Sequence, residues 1–447
     1  MQAFRYKLFI VCFLILIFQN VSAQVKENQS AEKLSILTND SLQYSLYLPA
    51  NFENDKYYPL LIFLDPSARG DYPVKQYKKI ADTQEVILAG SLNSKNFDPS
   101  SSFGSTSTML QDITSKFKID KERIWLAGFS GGSRAASSYA AKNESIKGVI
   151  ACGAGFSDAA FISSNRSIAF AGLVGYKDMN FEEMIRVNKQ LTEANKESLL
   201  LFFDGDHMWP PEKEMSIAVQ WLMKEEQSDK TIFLRGNFRE IESLRSTGYL
   251  YMSWMMASEN SKVPQLFNYS DSLKRIIEST KGFSKDKAMF ENVLSDETAF
   301  LDEFSFLFGQ AVFSDVDEVS NIDTWKSRIN TINTLRKNKN GYKKLSGERL
   351  FDFTWRLCIE QYNWLMTSQQ YKQAYKAATI LSFNTAFFLK PEFLMARAAA
   401  GSKDSKKCIN HLKYSIKNEK LSKENILNDG LISDLFTEDE LSKLFNE

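Results

Sequence analysis

The residues whose types and spacing could do chemistry gather around one serine. Ser130 stands in Gly128-Phe129-Ser130-Gly131-Gly132, after the apolar run Ile124-Trp125-Leu126-Ala127 and before Ala135-Ala136-Ser137-Ser138-Tyr139-Ala140-Ala141, a helix-forming stretch. Strand, sharp turn and helix with a serine at the apex is the setting that makes G-x-S-x-G a nucleophile elbow. Glycines at 128 and 132 let strand and helix approach where a Cβ would crowd them. The helix start also turns backbone N–H groups, Gly131 foremost, toward a developing oxyanion. The same letters fit a glycine-rich turn carrying an idle serine, so the neighbours must decide.

A serine hydroxyl is a poor nucleophile near neutral pH and needs a base within hydrogen-bond reach. The chain has two histidines, His207 and His411, which excludes H-E-x-x-H zinc chemistry and leaves few choices for that base. His411 lies in a helical stretch and reads as structural. His207 follows the apolar run Leu199–Phe203 in Asp204-Gly205-Asp206-His207-Met208-Trp209-Pro210, a loop where a catalytic histidine belongs. A carboxylate must orient its imidazole. Asp178 comes after the run Ile168–Val174 and is preferred, with Asp158 and Asp206 as rivals. Asp206 adjoins His207 in sequence, and such a neighbour more readily orders the loop or contacts substrate. A second oxyanion donor comes from the loop after Leu64. Pro66 has no N–H, so Ser67 or Ala68 pairs with Gly131. Arg69 is either a solvated loop charge or a contact for anionic substrates, and Trp209 is a further substrate-binding candidate.

These loops require elements to hold them. Gln43–Leu48 alternates polar and apolar residues as a half-buried antiparallel strand does. Continuous apolar runs at Pro59–Leu64, Glu85–Gly90, Lys147–Cys152, Ile168–Val174 and Leu199–Phe203 read as strands buried on both faces. Helical patterns at Thr108–Phe117 and Phe181–Ala194 lie between them. The alternation predicts an α/β fold with a doubly wound, mainly parallel sheet, whose ligands sit beyond the carboxyl ends of the strands. After about 228–236 strand signals fade, and helical spacing runs through Ile241–Met256, Ser272–Ile277, Phe300–Phe308 and Trp325–Leu335. The expected domains are 24–230 and an all-α region, 231–447. Within the latter, helices over about 349–420 pair up, and Ala374 and Cys408 occupy matching small positions at the tetratricopeptide period.

Residues 1–23 have the anatomy of a cleavable signal peptide: Arg5 and Lys7, the apolar run Leu8–Phe18, then Val21-Ser22-Ala23. The mature chain is expected to be exported, to the periplasm or beyond, with no membrane span. Acidic and basic residues balance at 55 each, which argues against nucleic acid as the main partner. Cys152, Cys358 and Cys408 remain after cleavage near Ala23, too few and too scattered for a disulfide framework.

Residues from about 40 to 225 resemble the α/β-hydrolase superfamily, nearest its esterase and prolyl-oligopeptidase-like branches. The carriers are Gly128-Phe129-Ser130-Gly131-Gly132, Val174-Gly175-Tyr176-Lys177-Asp178 and Gly205-Asp206-His207-Met208-Trp209-Pro210; the last is similar to the Gly-Gly-His-x-Trp-Pro loop of secreted esterases. The departure is Asp65-Pro66 where many relatives carry His-Gly. The resemblance implies a serine hydrolase with the triad order Ser130, Asp178, His207, acting on a small ester and needing no metal or organic cofactor. A prolyl-oligopeptidase-like peptidase is the nearest rival. A weakly active hydrolase fold that binds peptides or proteins through its helical region is the rival from another class.

Overall fold

The structure, a computed structural model, describes residues 30–36, 39–96, 99–156, 160–164, 166–223, 231–263, 266–316, 319–384 and 389–445. The stretch read as a signal peptide, 1–23, and the rival acid Asp158 lie outside them.

Eight strands form one sheet: β1 (Ser30–Ile36), β2 (Asn39–Tyr47), β3 (Tyr58–Leu64), β4 (Ile87–Ser91), β5 (Ile119–Phe129), β6 (Gly148–Cys152), β7 (Ala169–Gly175) and β8 (Ser198–Phe203). Their order is β1-β2-β4-β3-β5-β6-β7-β8. β1 pairs antiparallel with β2, and β2 with β4. Every pairing from β4 onward is parallel. β3, β4, β6, β7 and β8 are buried along their whole lengths, which is why they read as unbroken apolar runs rather than alternations. On one face Leu61, Phe63, Trp125, Ala127, Ile150 and Leu201 pack against Tyr77, which precedes the helix Lys78–Gln84, against Ile80 within it, and against Met215, Ala218 and Trp221 from the helix Glu212–Met223. β1 and the short helix Asp71–Gln76 were not foreseen, since neither carries a distinct hydrophobic period.

By contacts the chain divides into two compact units, 1–287 and 288–447. Strands stop at β8, yet helices Thr231–Ser246, Leu250–Asn260 and Phe267–Glu278 still fall in the first unit. The single helical run expected over Ile241–Met256 is two helices, because the chain turns at Gly248 with φ +90°. Glu259, on the second of them, accepts the Leu200 backbone N–H of edge strand β8 at 2.8 Å and the Asn188 amide at 2.9 Å. Tyr176 donates its hydroxyl to Glu240 at 3.0 Å. The end of strand character near 230 and the division at 287 are therefore two separate borders.

The second unit is helical throughout its described residues. Gly341–Thr367, Tyr371–Ser382, Pro391–Gly401 and Ser405–Asn418 each pack on the next. No helix among the described residues is long and apolar enough to cross a membrane.

Candidate active site

β5 runs into the helix Gly131–Lys142 through Ser130, which is held at φ 52° and ψ −121°. A non-glycine residue there costs about 1–3 kcal/mol and persists only where its surroundings enforce it. Here the Ser130 N–H is fixed to the Cys152 carbonyl at 2.9 Å. A Cβ on Gly132 would strike the Leu64 carbonyl, and one on Gly128 the carbonyl of Gly132. The two glycines thus let β3, β5 and the helix close around the serine.

His207 and Asp178 meet beside it. His207 Nδ1 lies 2.9 Å from Asp178 Oδ1, with the two residues 7% and 0% exposed. The Asn180 N–H donates to the same Oδ1 at 2.8 Å, and the Asn180 amide donates to the Gly153 carbonyl at 2.7 Å. A Cβ on Gly153 would lie 2.8 Å from Asp178 Oδ2 and 3.1 Å from His207 Nδ1, so only glycine leaves room for this pair. With Nδ1 facing the carboxylate, Nε2 is the nitrogen left to exchange a proton. The Phe129 ring, next to the serine in the chain, sits 4.7 Å from the His207 ring. Among the described residues the Ser130 hydroxyl has no hydrogen-bond partner, so its link to His207 is not made in this arrangement. Such links often tighten only with substrate. Asp206 is exposed. Burial, then the nearby Asp178 charge, push the Cys152 thiol well above its ordinary range, so it stays protonated and inert.

The first unit has an α/β-hydrolase-like fold. Strand order, elbow and loop placement at the carboxyl edge agree on it. Among solved structures, the chain is similar to FphF, a fluorophosphonate-binding serine hydrolase of Staphylococcus aureus, at 14% identity and TM-score 0.37, covering 44% of this chain and 98% of that one. It is also similar to a ferulic acid esterase, at 19% identity and TM-score 0.36 over 43% and 97% of the two chains. An esterase of Pyrobaculum calidifontis matches at 10% identity and TM-score 0.36 over 47% and 92%. No family model matches the chain, and no curated protein matches it significantly by sequence. At such identities and TM-scores the neighbours say nothing of chemistry, which rests on this chain's own residues.

The loop after β3 departs most from expectation. Asp65 is fully buried and gathers donors from three residues: Ser67 N–H at 2.9 Å, Arg69 Nε at 3.2 Å and Nη2 at 3.5 Å, and Trp209 Nε1 at 3.0 Å. Ala68, at φ 59°, donates its N–H to the Asp65 carbonyl at 3.1 Å. Both backbone groups expected to face an oxyanion are therefore engaged within their own loop: the buried carboxylate takes the Ser67 N–H to offset its desolvation, and the Ala68 N–H closes a turn on the Asp65 backbone carbonyl. Trp209, expected against substrate, is instead core: it is 3% exposed and packs on Phe63 and Phe129. Arg69 stays anchored by Asp65 while its side chain remains 62% exposed. Glu183 also escaped the sequence reading. It holds Arg134 of the helix after the elbow at 2.8 Å on both oxygens and accepts the Gly155 N–H at 2.9 Å, tying the loop after β6 to that helix. No local pattern marks it, since its partners are far off in the chain.

Proposed function

We propose that the chain is a serine hydrolase that cleaves a carboxylic ester through an acyl-enzyme. The observation that carries this reading is the buried 2.9 Å contact of His207 with Asp178 beside a serine held at positive φ. Ser130 Oγ attacks the ester carbonyl carbon as its proton passes to His207 Nε2. Asp178 holds the imidazole in the tautomer that can accept it and stabilises the imidazolium. The carbonyl oxygen becomes an oxyanion beside the Gly131 N–H. Collapse breaks the bond to the alcohol, which leaves with the proton from Nε2. Water then attacks the acyl-enzyme with His207 as base, releasing the acid and restoring the Ser130 hydroxyl. Arg69, with its side chain exposed, suits substrates with a negative charge away from the scissile bond.

The helical unit supports a second proposal: its tandem hairpins are tetratricopeptide-like and present a peptide- or protein-binding module. Gln369 and Lys403, in the inter-helix turns, both have positive φ, at 57° and 62°, and lie 34 positions apart (369 to 403). The turn bonds repeat at the same offset: Gln370 N–H to Leu365 O and Asp404 N–H to Ala399 O. Ala374 and Cys408 are both fully buried. We also propose that the chain is exported after cleavage near Ala23, on the pattern of residues 1–23.

Labelling by a fluorophosphonate probe tests the enzyme reading. The native chain should be labelled on Ser130, and Ser130→Ala should abolish the label. Labelling that survives Ser130→Ala, or a native chain that takes no label and hydrolyses no aryl ester, sinks it.

A further inference from the structure

An oxyanion hole needs at least two preorganised donors, and the two loop groups expected to supply the second, the Ser67 and Ala68 N–H, both donate to Asp65. We propose that the side-chain amide of Asn96 is that donor, paired with the Gly131 backbone N–H. This rests on the ester-hydrolase reading of Ser130. Asn96 follows β4, the neighbour of β3 in the sheet. Its backbone is fastened to the β3 loop: the Asn96 N–H donates to the Pro66 carbonyl at 2.9 Å, and Lys95 forms a bridge with Ser67. Its carboxamide then lies directly over Gly131. The position a Cβ would take on Gly131 is 3.0 Å from Asn96 Nδ2, 2.7 Å from Cγ and nearer still to Oδ1. The absent side chain at 131 is thus what admits the amide to the site.

Two features fit a donor rather than a structural amide. Among the described residues the Asn96 carboxamide has no hydrogen-bond partner, although it is half-buried. Likewise the Gly131 N–H, first in its helix, has no carbonyl within the helix to bond. Two free donor groups therefore converge beside Ser130. A half-turn about the last side-chain bond exchanges Oδ1 and Nδ2 within the same outline, so the amide presents N–H as negative charge grows on the carbonyl oxygen. A neutral donor also leaves the resting site without an extra charge to desolvate.

The test compares native chain, Asn96→Ala and Asn96→Asp in 4-nitrophenyl acetate hydrolysis and in affinity for an aryl trifluoromethyl ketone, which adds to a serine as a hemiketal oxyanion. Loss of one oxyanion donor should lower kcat by roughly 10²–10³ with KM little changed. Ketone affinity should fall by a similar factor, and the melting temperature should hold. Asn96→Asp keeps the shape but offers only acceptors at neutral pH, so it should lose at least as much, and it serves if the alanine variant does not fold. Activity of either folded variant within about threefold of native overturns the assignment, as does lost kcat with unchanged ketone affinity. If the native chain is labelled by fluorophosphonate while the Asn96 variants remain fully active, Asn96 alone falls. If the native chain neither labels nor turns over, the hydrolase reading falls and takes this role with it.

Discussion

Asp178 and Asp206 are the same residue type, both on loops at the carboxyl edge of the sheet, and their surroundings separate them. Asp178 is buried with one oxygen on His207 and the Asn180 N–H, whereas Asp206 is exposed. Asp178→Asn should keep the fold yet lower kcat on a simple ester by about 10⁴, because an amide there favours the wrong imidazole tautomer. Ser130→Ala and His207→Ala should each cost roughly 10⁴–10⁶, and the double variant no more, since the two act as a unit. Asp206→Asn should cost on the order of tenfold or less. Steady-state kinetics on the five variants reads all of this at once. Equal damage from Asp178→Asn and Asp206→Asn would mean that the acid is misassigned.

Edge strands invite pairing with other chains unless something covers them. β8 closes one end of the sheet, and Glu259 meets it by accepting the Leu200 N–H. Glu259→Ala leaves that donor and the Asn188 amide without their acceptor and should destabilise the first unit by about 1–3 kcal/mol. Glu259→Gln keeps an acceptor oxygen and should recover most of the loss. The melting temperature of the two variants measures it. The same contacts bear on the domain border. A chain truncated to 24–232 lacks Glu240 and Glu259 and bares β8, so it should aggregate, whereas 24–287 should stay soluble and melt cooperatively. A soluble, cooperatively melting 24–232 chain would restore the border to 230/231.

Across the whole molecule the described cysteines Cys152, Cys358 and Cys408 are free and buried. Burial raises all three thiols, that of Cys408 to about 12, with the carboxylates of Asp429 and Asp404 adding to it. An aromatic disulfide reagent should therefore react with none of them in the folded chain, and a reducing agent should leave the melting temperature unchanged. In denaturant the count also reports on processing, because the sequence holds four cysteines and the fourth, Cys12, lies in the leader stretch. Three reactive thiols per chain from exported material agree with cleavage near Ala23. Four would show that the leader is retained, and fewer than three would reveal a disulfide.

What the sequence by itself determined is what neighbouring residues impose on one another. Gly128-Phe129-Ser130-Gly131-Gly132 dictates a turn that lifts its serine, because the glycines at 128 and 132 let strand and helix pack closely around it. Unbroken apolar runs dictate strands buried on both faces, and the scarcity of histidine left His207 as the candidate base. Tertiary structure alone decided which carboxylate faces that imidazole, since Asp178 lies 29 positions from His207 and three aspartates were open to the role. It alone engaged Asp65 with Trp209, 144 positions away, drawing the Ser67 N–H from the oxyanion and the indole from the substrate. It alone brought Asn96 over Gly131 and Glu259 to β8. Each of these joins groups whose meeting depends on strand order rather than local spacing, and a buried polar atom takes whichever partner the packed fold brings within reach.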